Sequence, residues 1–436
     1  VNSQEKLEAL GAAAQYDLCG ACCNPKNDPK GHRQRGHMGR WIYPAALPDG
    51  RSILLMKVLM SNVCENNCLY CVNRRGNDRP VLSFTPDELA SLFMKMFYAN
   101  LVQGLFLSSA IFKSVRRTMD RMLATVEILR CRYRFQGYIH LKVLPGADIS
   151  QLERAARLAD RVSVNLEAPS AFRLSKIAPQ KRFSEELLSR IHLLSGLIKQ
   201  ANHGKRYGPK GQTTQFVVGA AGESDTEILS VSKNLYDKLD LSRIYFSAFQ
   251  PAKGTPLEGL KPTPLLREHR LYQADFLFRR YGFSMEEIGF TEEGNLPLGK
   301  DPKTIWAEGH PEFFPVEVNT APKELLLRIP GFGPLTVKRI LHIRTEHRIR
   351  SLDQLKRMGA VTRNALGYVL LDGHLPGKPS SSQLDIWQPE PVSFAVPRNT
   401  PVTRNTLVTR NTRNTRNTPV TRNTRNTPVA SFDSGN

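Results

Sequence analysis

Three cysteines fall within eight positions of the stretch VLMSNVCENNCLYCVNRRGND (residues 58–78): Cys64, Cys68 and Cys71. They follow an apolar run, and no fourth cysteine comes soon after. Thiolates are the usual ligands of iron–sulfur clusters, and a cubane of four irons takes four of them. Three closely spaced cysteines hold three corners and leave one iron open, and an open metal position is what separates a catalytic site from a closed structural one. The competing arrangement is a zinc site completed by the CxxCC group Cys19, Cys22 and Cys23. That group otherwise reads as a second cluster site or as unpaired thiols near the same mouth. The seven cysteines of the chain, odd in number and bunched, favour metal or cluster ligation over disulfides in a reducing compartment. Cys131 stands alone in an amphipathic stretch and reads as a buried small hydrophobe.

A thiol loop needs rigid elements to hold it. From about residue 53 to 280, short apolar runs alternate with longer helix-like stretches. The strand candidates are 52–60, 104–109, 137–144, 161–167, 213–220 and 243–250. Helix candidates lie near 86–100, 114–133, 149–159, 184–200, 224–239 and 264–281, with start signals such as Thr85-Pro86 and Ser184 followed by acids. Six βα units in series call for parallel strands with crossover helices, either a partial (β/α) barrel or an open doubly wound sheet. In both, the cysteine loop follows the first strand at the edge where active sites form.

Cys64-x3-Cys68-x2-Cys71, with Tyr70 before the last cysteine, resembles the signature of radical S-adenosylmethionine (SAM) enzymes. FVVGAAGESDTEI (216–228) is similar to the stretch after the fifth strand in that superfamily, and FQPAKGTPLEG (249–259) to the turn after the sixth. The resemblance covers roughly residues 50–285 and implies an α/β fold with a partial (β/α)6 TIM-type barrel. It also implies a [4Fe-4S] cluster on the three cysteines, with SAM filling the open iron position. Cleavage of SAM then yields a 5′-deoxyadenosyl radical that abstracts hydrogen from a substrate. By position, the resemblance places Ser108, Ser109, Asn165 and Glu167 around the cofactor and lets Gly219 and Gly222 approach its adenine closely. The acid that the family often carries after the second strand is replaced here by Ser108-Ser109, and Glu223 is as suited to capping the next helix as to touching a ligand.

Residues 316–344, VEVNTAPKELLLRIPGFGPLTVKRILHIR, resemble a helix-hairpin-helix motif. Gly331 and Gly333 permit a tight turn whose N–H groups approach a phosphate, with Lys338 and Arg339 on the following helix. A degenerate copy follows at 351–370, with Ser351 and Gln354 as a capping box and Gly359 at the turn. Residues 316–378 are therefore expected to be an all-α domain gripping duplex backbone phosphates. Barrel and hairpins together resemble the DNA modification/repair radical SAM protein family, which implies a uracil-DNA glycosylase-like partner and an electron donor such as flavodoxin or ferredoxin.

The expected organisation is an N-terminal cysteine-containing extension (1–50), the barrel (51–285), a connector (286–315), the hairpin domain (316–378) and a disordered tail of TRNT repeats (379–436). The tail carries seven arginines against three acids, only +4 of the chain's +21. The ordered part is itself basic, with runs on 112–135 and 202–212 that extend a track for a polyanion. No stretch of about 18 apolar residues spans a membrane and no leader pattern opens the sequence, so the expected compartment is cytoplasmic. DNA modification or repair is the leading expectation. An RNA-modifying radical enzyme and a non-catalytic DNA-binding protein with a structural or redox-sensing cluster are the alternatives.

Overall fold

The structure, a computed structural model, describes residues 2–14, 41–46, 52–76, 80–201 and 211–376. Cys19, Cys22 and Cys23, most of the basic 202–212 loop and the repeat tail lie outside the described residues. Strands β1 (Ile42–Ala46), β2 (Ser52–Leu59), β3 (Gly104–Ser108), β4 (Tyr138–Lys142), β5 (Arg161–Ser163), β6 (Gln212–Val218) and β7 (Arg243–Ala248) form one sheet in chain order. β2 to β7 are all parallel. Sequential parallel order selects the partial (β/α)6 barrel over a doubly wound sheet, whose order would reverse. β1, which the sequence reading missed, runs antiparallel along the outer edge of β2, pairing Ile42 with Met56.

The helices are α1 (Ser3–Ala14), α2 (Pro86–Tyr98), α3 (Val115–Glu127), α4 (Ile149–Leu158), α5 (Ala171–Ser175), α6 (Ser189–Ala201), α7 (Asp225–Leu239), α8 (Leu265–Phe276) and α9 (Pro302–Gly309). Thr85 caps α2 through a full capping box with Glu88. The same carboxylate receives Lys6 Nζ at 2.8 Å and Ser3 Oγ at 2.9 Å, which pins α1 to the barrel. α3 ends in a π-helical turn (Ile128–Arg132), and the widened turn carries Cys131 outward to an exposed position. The expectation of a buried Cys131 is corrected accordingly. Gly104 is required by close packing: a Cβ there would lie 2.6 Å from Tyr138 O on the next strand.

Helix α8 runs antiparallel to β7, and three contacts mark its course. Glu268 accepts from Ala248 N at 2.7 Å at the end of the strand. Tyr272 Oη accepts from Phe246 N at 3.0 Å. Asp275 meets Tyr236, whose hydroxyl accepts from Ile244 N at 2.9 Å at the strand's start. The connector is no loose linker. Leu296 N donates to the buried Asp225 at 2.8 Å, and Trp306 and Ala307 of α9 belong to the barrel core.

A second hydrophobic core, built on Val318, Leu326, Ile329, Phe332, Val337 and Ile340 among others, organises the C-terminal module. Its helices are α10 (Lys323–Arg328), α11 (Pro334–Ile343), α12 (Leu352–Arg357) and α13 (Thr362–Ala365). The region is not wholly helical as expected. β8 (Val316–Glu317) pairs in parallel with β9 (Val369–Leu370) and ties its two ends together. These two-residue strands lack the length to show a period in the sequence.

Candidate functional site

The cysteine loop leaves β2 at Leu59 and is fastened from three directions. Ser61 Oγ lies 2.6 Å from Ser83 Oγ, Glu65 N donates to Ile111 O at 2.9 Å, and Leu69 N donates to Ile177 O at 2.8 Å. Within it, Cys71 N donates to Cys68 O at 3.2 Å and Arg75 N to Asn66 O at 2.9 Å, so the three thiols share one compact turn. Gln180 brackets Cys68: its side-chain oxygen accepts from the backbone N–H of Cys68 at 3.2 Å and of Asn67 at 3.3 Å.

Burial pushes the Cys68 thiol up, and burial together with Cys68 pushes Cys71 up to about 12. Left alone these are protonated thiols; a bound cation reverses that, because coordination deprotonates a thiol outright. Behind them sits a buried ion pair, Lys181 Nζ to Glu167 Oε1 at 3.2 Å, each side chain 9% exposed. Burial works against charge on Lys181, but Cys68 and Glu167 outweigh it and its pKa is raised. Tyr70 is raised by burial and by the adjoining Glu167 carboxylate. Glu167 holds φ +66°. A non-glycine residue pays for that left-handed backbone, and such strain collects at binding sites. It is held there by Glu167 N to Gln215 O at 2.9 Å and Val217 N to Glu167 O at 2.8 Å.

A cavity of about 590 Å³ opens beside the thiols, within the range of small-molecule and cofactor sites. Cys64, Cys68 and Cys71 line it together with Ser108, Ser109, Asn165 and Glu167, so these seven expected positions converge. Gly219 and Gly222 do not line it. Gly219, at φ +92°, packs where a Cβ would strike Thr263 Oγ1 at 2.0 Å, and Glu223 folds back to accept from the N–H groups of Gly219 and Ala221. That glycine loop serves helix entry. Lys181, Lys142 and Gln250 also line the cavity, as do Ala13 and Ala14 of α1. The sequence offered no spacing signal for these, since they come from α1, from strand ends and from a loop far apart in the chain.

Among the described residues, no three His, Cys, Asp or Glu side chains converge tightly enough for one metal ion. A zinc with Zn–S bonds of about 2.3 Å needs that convergence, whereas a cluster spreads its ligands over separate irons. The soft thiolate set beside an open cavity therefore fits an iron–sulfur cluster.

In the C-terminal module, the turns after α10 and α12 face each other. Val361 N donates to Gly331 O at 2.9 Å, and a Cβ on Gly331 (φ +82°) would sit 2.4 Å from Val361 O. Gly331 and Gly333 flank the first turn and Lys338 is exposed on α11, while Arg339 spends a guanidinium N–H on Met358 O at 3.0 Å. Lys303 of α9, buried, donates to Phe332 O at 2.6 Å from below the turn. Arg328 clamps α10 to the barrel through Tyr281 O at 2.9 Å and Glu287 at 2.6 Å.

No protein-family profile matches the chain. It is similar to the threonylcarbamoyladenosine tRNA methylthiotransferase MtaB of Thermotoga maritima, 22% identical over 240 residues, 53% of this chain and 52% of that protein. The chain thus spans about half the length of that curated relative. Among solved structures it is similar to the FeFe-hydrogenase maturase HydG from Carboxydothermus hydrogenoformans (TM-score 0.41, 14% identity, 72% of this chain and 76% of that one). It is also similar to the radical S-adenosylmethionine methyltransferase TsrM from Kitasatospora setae with cobalamin and a [4Fe-4S] cluster bound (TM-score 0.36, 14% identity, 46% and 35%). No helix among the described residues is long and apolar enough to cross a membrane.

Proposed function

We propose that this chain is a radical SAM iron–sulfur enzyme that modifies or repairs a nucleotide within DNA. The observation that carries the reading is the convergence of Cys64, Cys68 and Cys71 with Ser108, Asn165 and Glu167 around one cavity. Cys64, Cys68 and Cys71 would hold a [4Fe-4S] cluster, and Ser108, Ser109, Asn165 and Glu167 offer hydrogen-bonding groups to SAM. When bound, cluster and SAM supply a 5′-deoxyadenosyl radical able to take a hydrogen atom from substrate. The chain's own part is to exclude water from the thiols, orient Glu167 through Lys181 and present strand-end hydroxyls and amides to the ligand.

Support for a nucleic-acid substrate comes from the paired glycine turns and exposed Lys338, which suit a helix-hairpin-helix grip on backbone phosphates. A nucleotide would have to leave its stack to enter the cavity. A uracil-DNA glycosylase-like partner and a flavodoxin- or ferredoxin-type donor belong to the same proposal. RNA is the second reading, favoured by the likeness to a tRNA methylthiotransferase.

The test is anaerobic. The cluster is reconstituted, SAM and reductant are added, and 5′-deoxyadenosine is quantified with duplex DNA, structured RNA or neither. Cys68→Ala is expected to lose the cluster absorbance and the product together; undiminished product would sink the assignment. Stimulation by RNA and not by DNA would transfer the substrate to the second reading. A cluster that binds no SAM would leave a non-catalytic DNA-binding protein.

A further inference from the structure

The barrel edge that bears the cavity carries a second basic feature. The chain leaves the cavity wall at Ile111 and three residues later reaches Ser114, the N-cap of α3. There Arg116, Arg117 and Arg121, with Pro86 and Asp120, line an open groove of about 390 Å³. Arg117 and Arg121 stand four apart on one helix face, a like-charge pair that costs stability unless an anion lies between them.

The nearby acids are committed elsewhere. Asp120 Oδ1 accepts from Gln151 Nε2 at 2.8 Å and from Arg154 Nη1 at 3.4 Å. Glu127 also pairs with Arg154, at 2.9 Å. Arg116 has Asp148 at 3.6 Å, but the two side chains are 80% and 51% exposed, and such a pair is worth little. Among the described residues no acid pairs with Arg117. Arg121 is held against the groove by its bond to Phe84 O. Guanidinium groups grip phosphate oxygens in a fork that lysine does not match.

We infer that this groove takes a phosphodiester of the nucleic-acid substrate, adjacent to the nucleotide that enters the cavity. The inference rests on the nucleic-acid reading above and adds to it a contact on the barrel itself, separate from the hairpins.

The test uses the full chain and follows anisotropy of a labelled DNA duplex and a labelled RNA stem–loop over salt from about 50 to 200 mM. Each phosphate contact contributes about 0.9 to the slope of log affinity against log salt on B-DNA, and about 0.7 on single strands. The Arg116→Gln/Arg117→Gln variant is expected to flatten the slope by about 0.9 on duplex, the share of one phosphate, and Arg117→Gln alone by part of that. 5′-Deoxyadenosine formed without nucleic acid should stay at the wild-type rate, because neither residue touches the cavity. Wild-type binding with an unchanged slope in both variants overturns the groove and leaves the nucleic-acid reading standing. A wild-type chain that binds neither probe overturns both. The slope change on one probe and not the other identifies which nucleic acid the groove accepts.

Discussion

Lys303 offers the sharpest energetic test, because it is a buried cation placed beneath the first glycine turn. Its ammonium donates to Phe332 O at 2.6 Å and faces the Tyr281 ring at 4.7 Å. Burial, with Arg328 adding repulsion and Asp301 too weak to offset it, pulls its pKa from 10.5 to about 7. A base with a depressed folded pKa binds fewer protons folded than unfolded between those two values. Stability then rises with pH across that window, and the full penalty is present below it. At about 1.36 kcal/mol per unit, the penalty is close to 5 kcal/mol at pH 6 and falls to about 2 kcal/mol at pH 9. Lys303 alone should therefore make the protein about 2–3 kcal/mol more stable at pH 9 than at pH 6. Lys303→Met removes the titrating group and keeps most of the volume, at the cost of one unsatisfied carbonyl, about 1–3 kcal/mol at either pH. The assay is urea unfolding followed by fluorescence of Trp306, which stacks on His310 at 4.4 Å. Wild type minus variant, compared between pH 6 and 9, cancels every other titrating group. A double difference under about 0.5 kcal/mol would refute the claim that Lys303 is buried with its charge at risk.

Two further outcomes follow from buried or bridging charge. Glu167→Gln or Lys181→Met alone leaves one uncompensated buried charge, expected to cost about 3–5 kcal/mol in the cluster-free protein, whereas the double variant recovers most of that loss; a double-mutant cycle by thermal unfolding checks it, and additive losses would contradict the pairing. Arg328→Ala removes hydrogen bonds to Tyr281 O, Gly282 O and Glu287, each charge-assisted bond worth about 1.5–3 kcal/mol. The C-terminal module should then gain amide exchange ahead of the barrel, and uniform protection in both would show that the clamp is not what holds them together.

The six parallel strands and their helices were legible because each apolar run had the length of a strand and several helices announced their starts, as at Thr85; the start expected at Ser184 is corrected, since Ser184 lies inside the π-helical turn Phe183–Leu188 ahead of α6. The thiol loop was legible because its spacing is local. What stayed hidden depends on tertiary contact. β1 is five residues, IYPAA, with a proline at its centre that argues against a strand, and it becomes one only on the edge against β2. Lys181 lies fourteen residues past Glu167 and shows its role only when both are buried in one wall. The packing of Gly219 against Thr263 stayed hidden too, because a glycine has the same sequence signature whether it admits a ligand or a neighbouring side chain. Arg339 stands on α11 as its charge suggested, but its bond to Met358 O across the module was not legible in the sequence.

The placement of the C-terminal module bears on how the proposed polymer substrate would be handled. Glu268 of α8 lies level with the end of β7, and the chain then runs back past the start of that strand to Tyr281. Thirteen helical residues at about 1.5 Å each put Tyr281 about 20 Å below the edge that bears the cavity. Gly333, at the first glycine turn, lies against the Tyr281 hydroxyl, and Lys303 and Arg328 fix the module at that level. On the proposed nucleic-acid reading, a polymer held at these glycine turns would pass the barrel wall before it reached the thiols. At about 3.4 Å per nucleotide step, the gap corresponds to roughly six steps of a duplex. Contacts at the glycine turns alone would leave the nucleotide of that proposal on a long lever, free to swing across the mouth. A second phosphate contact on the cavity's own edge would shorten that lever, and the arginine groove at the start of α3 stands at that edge.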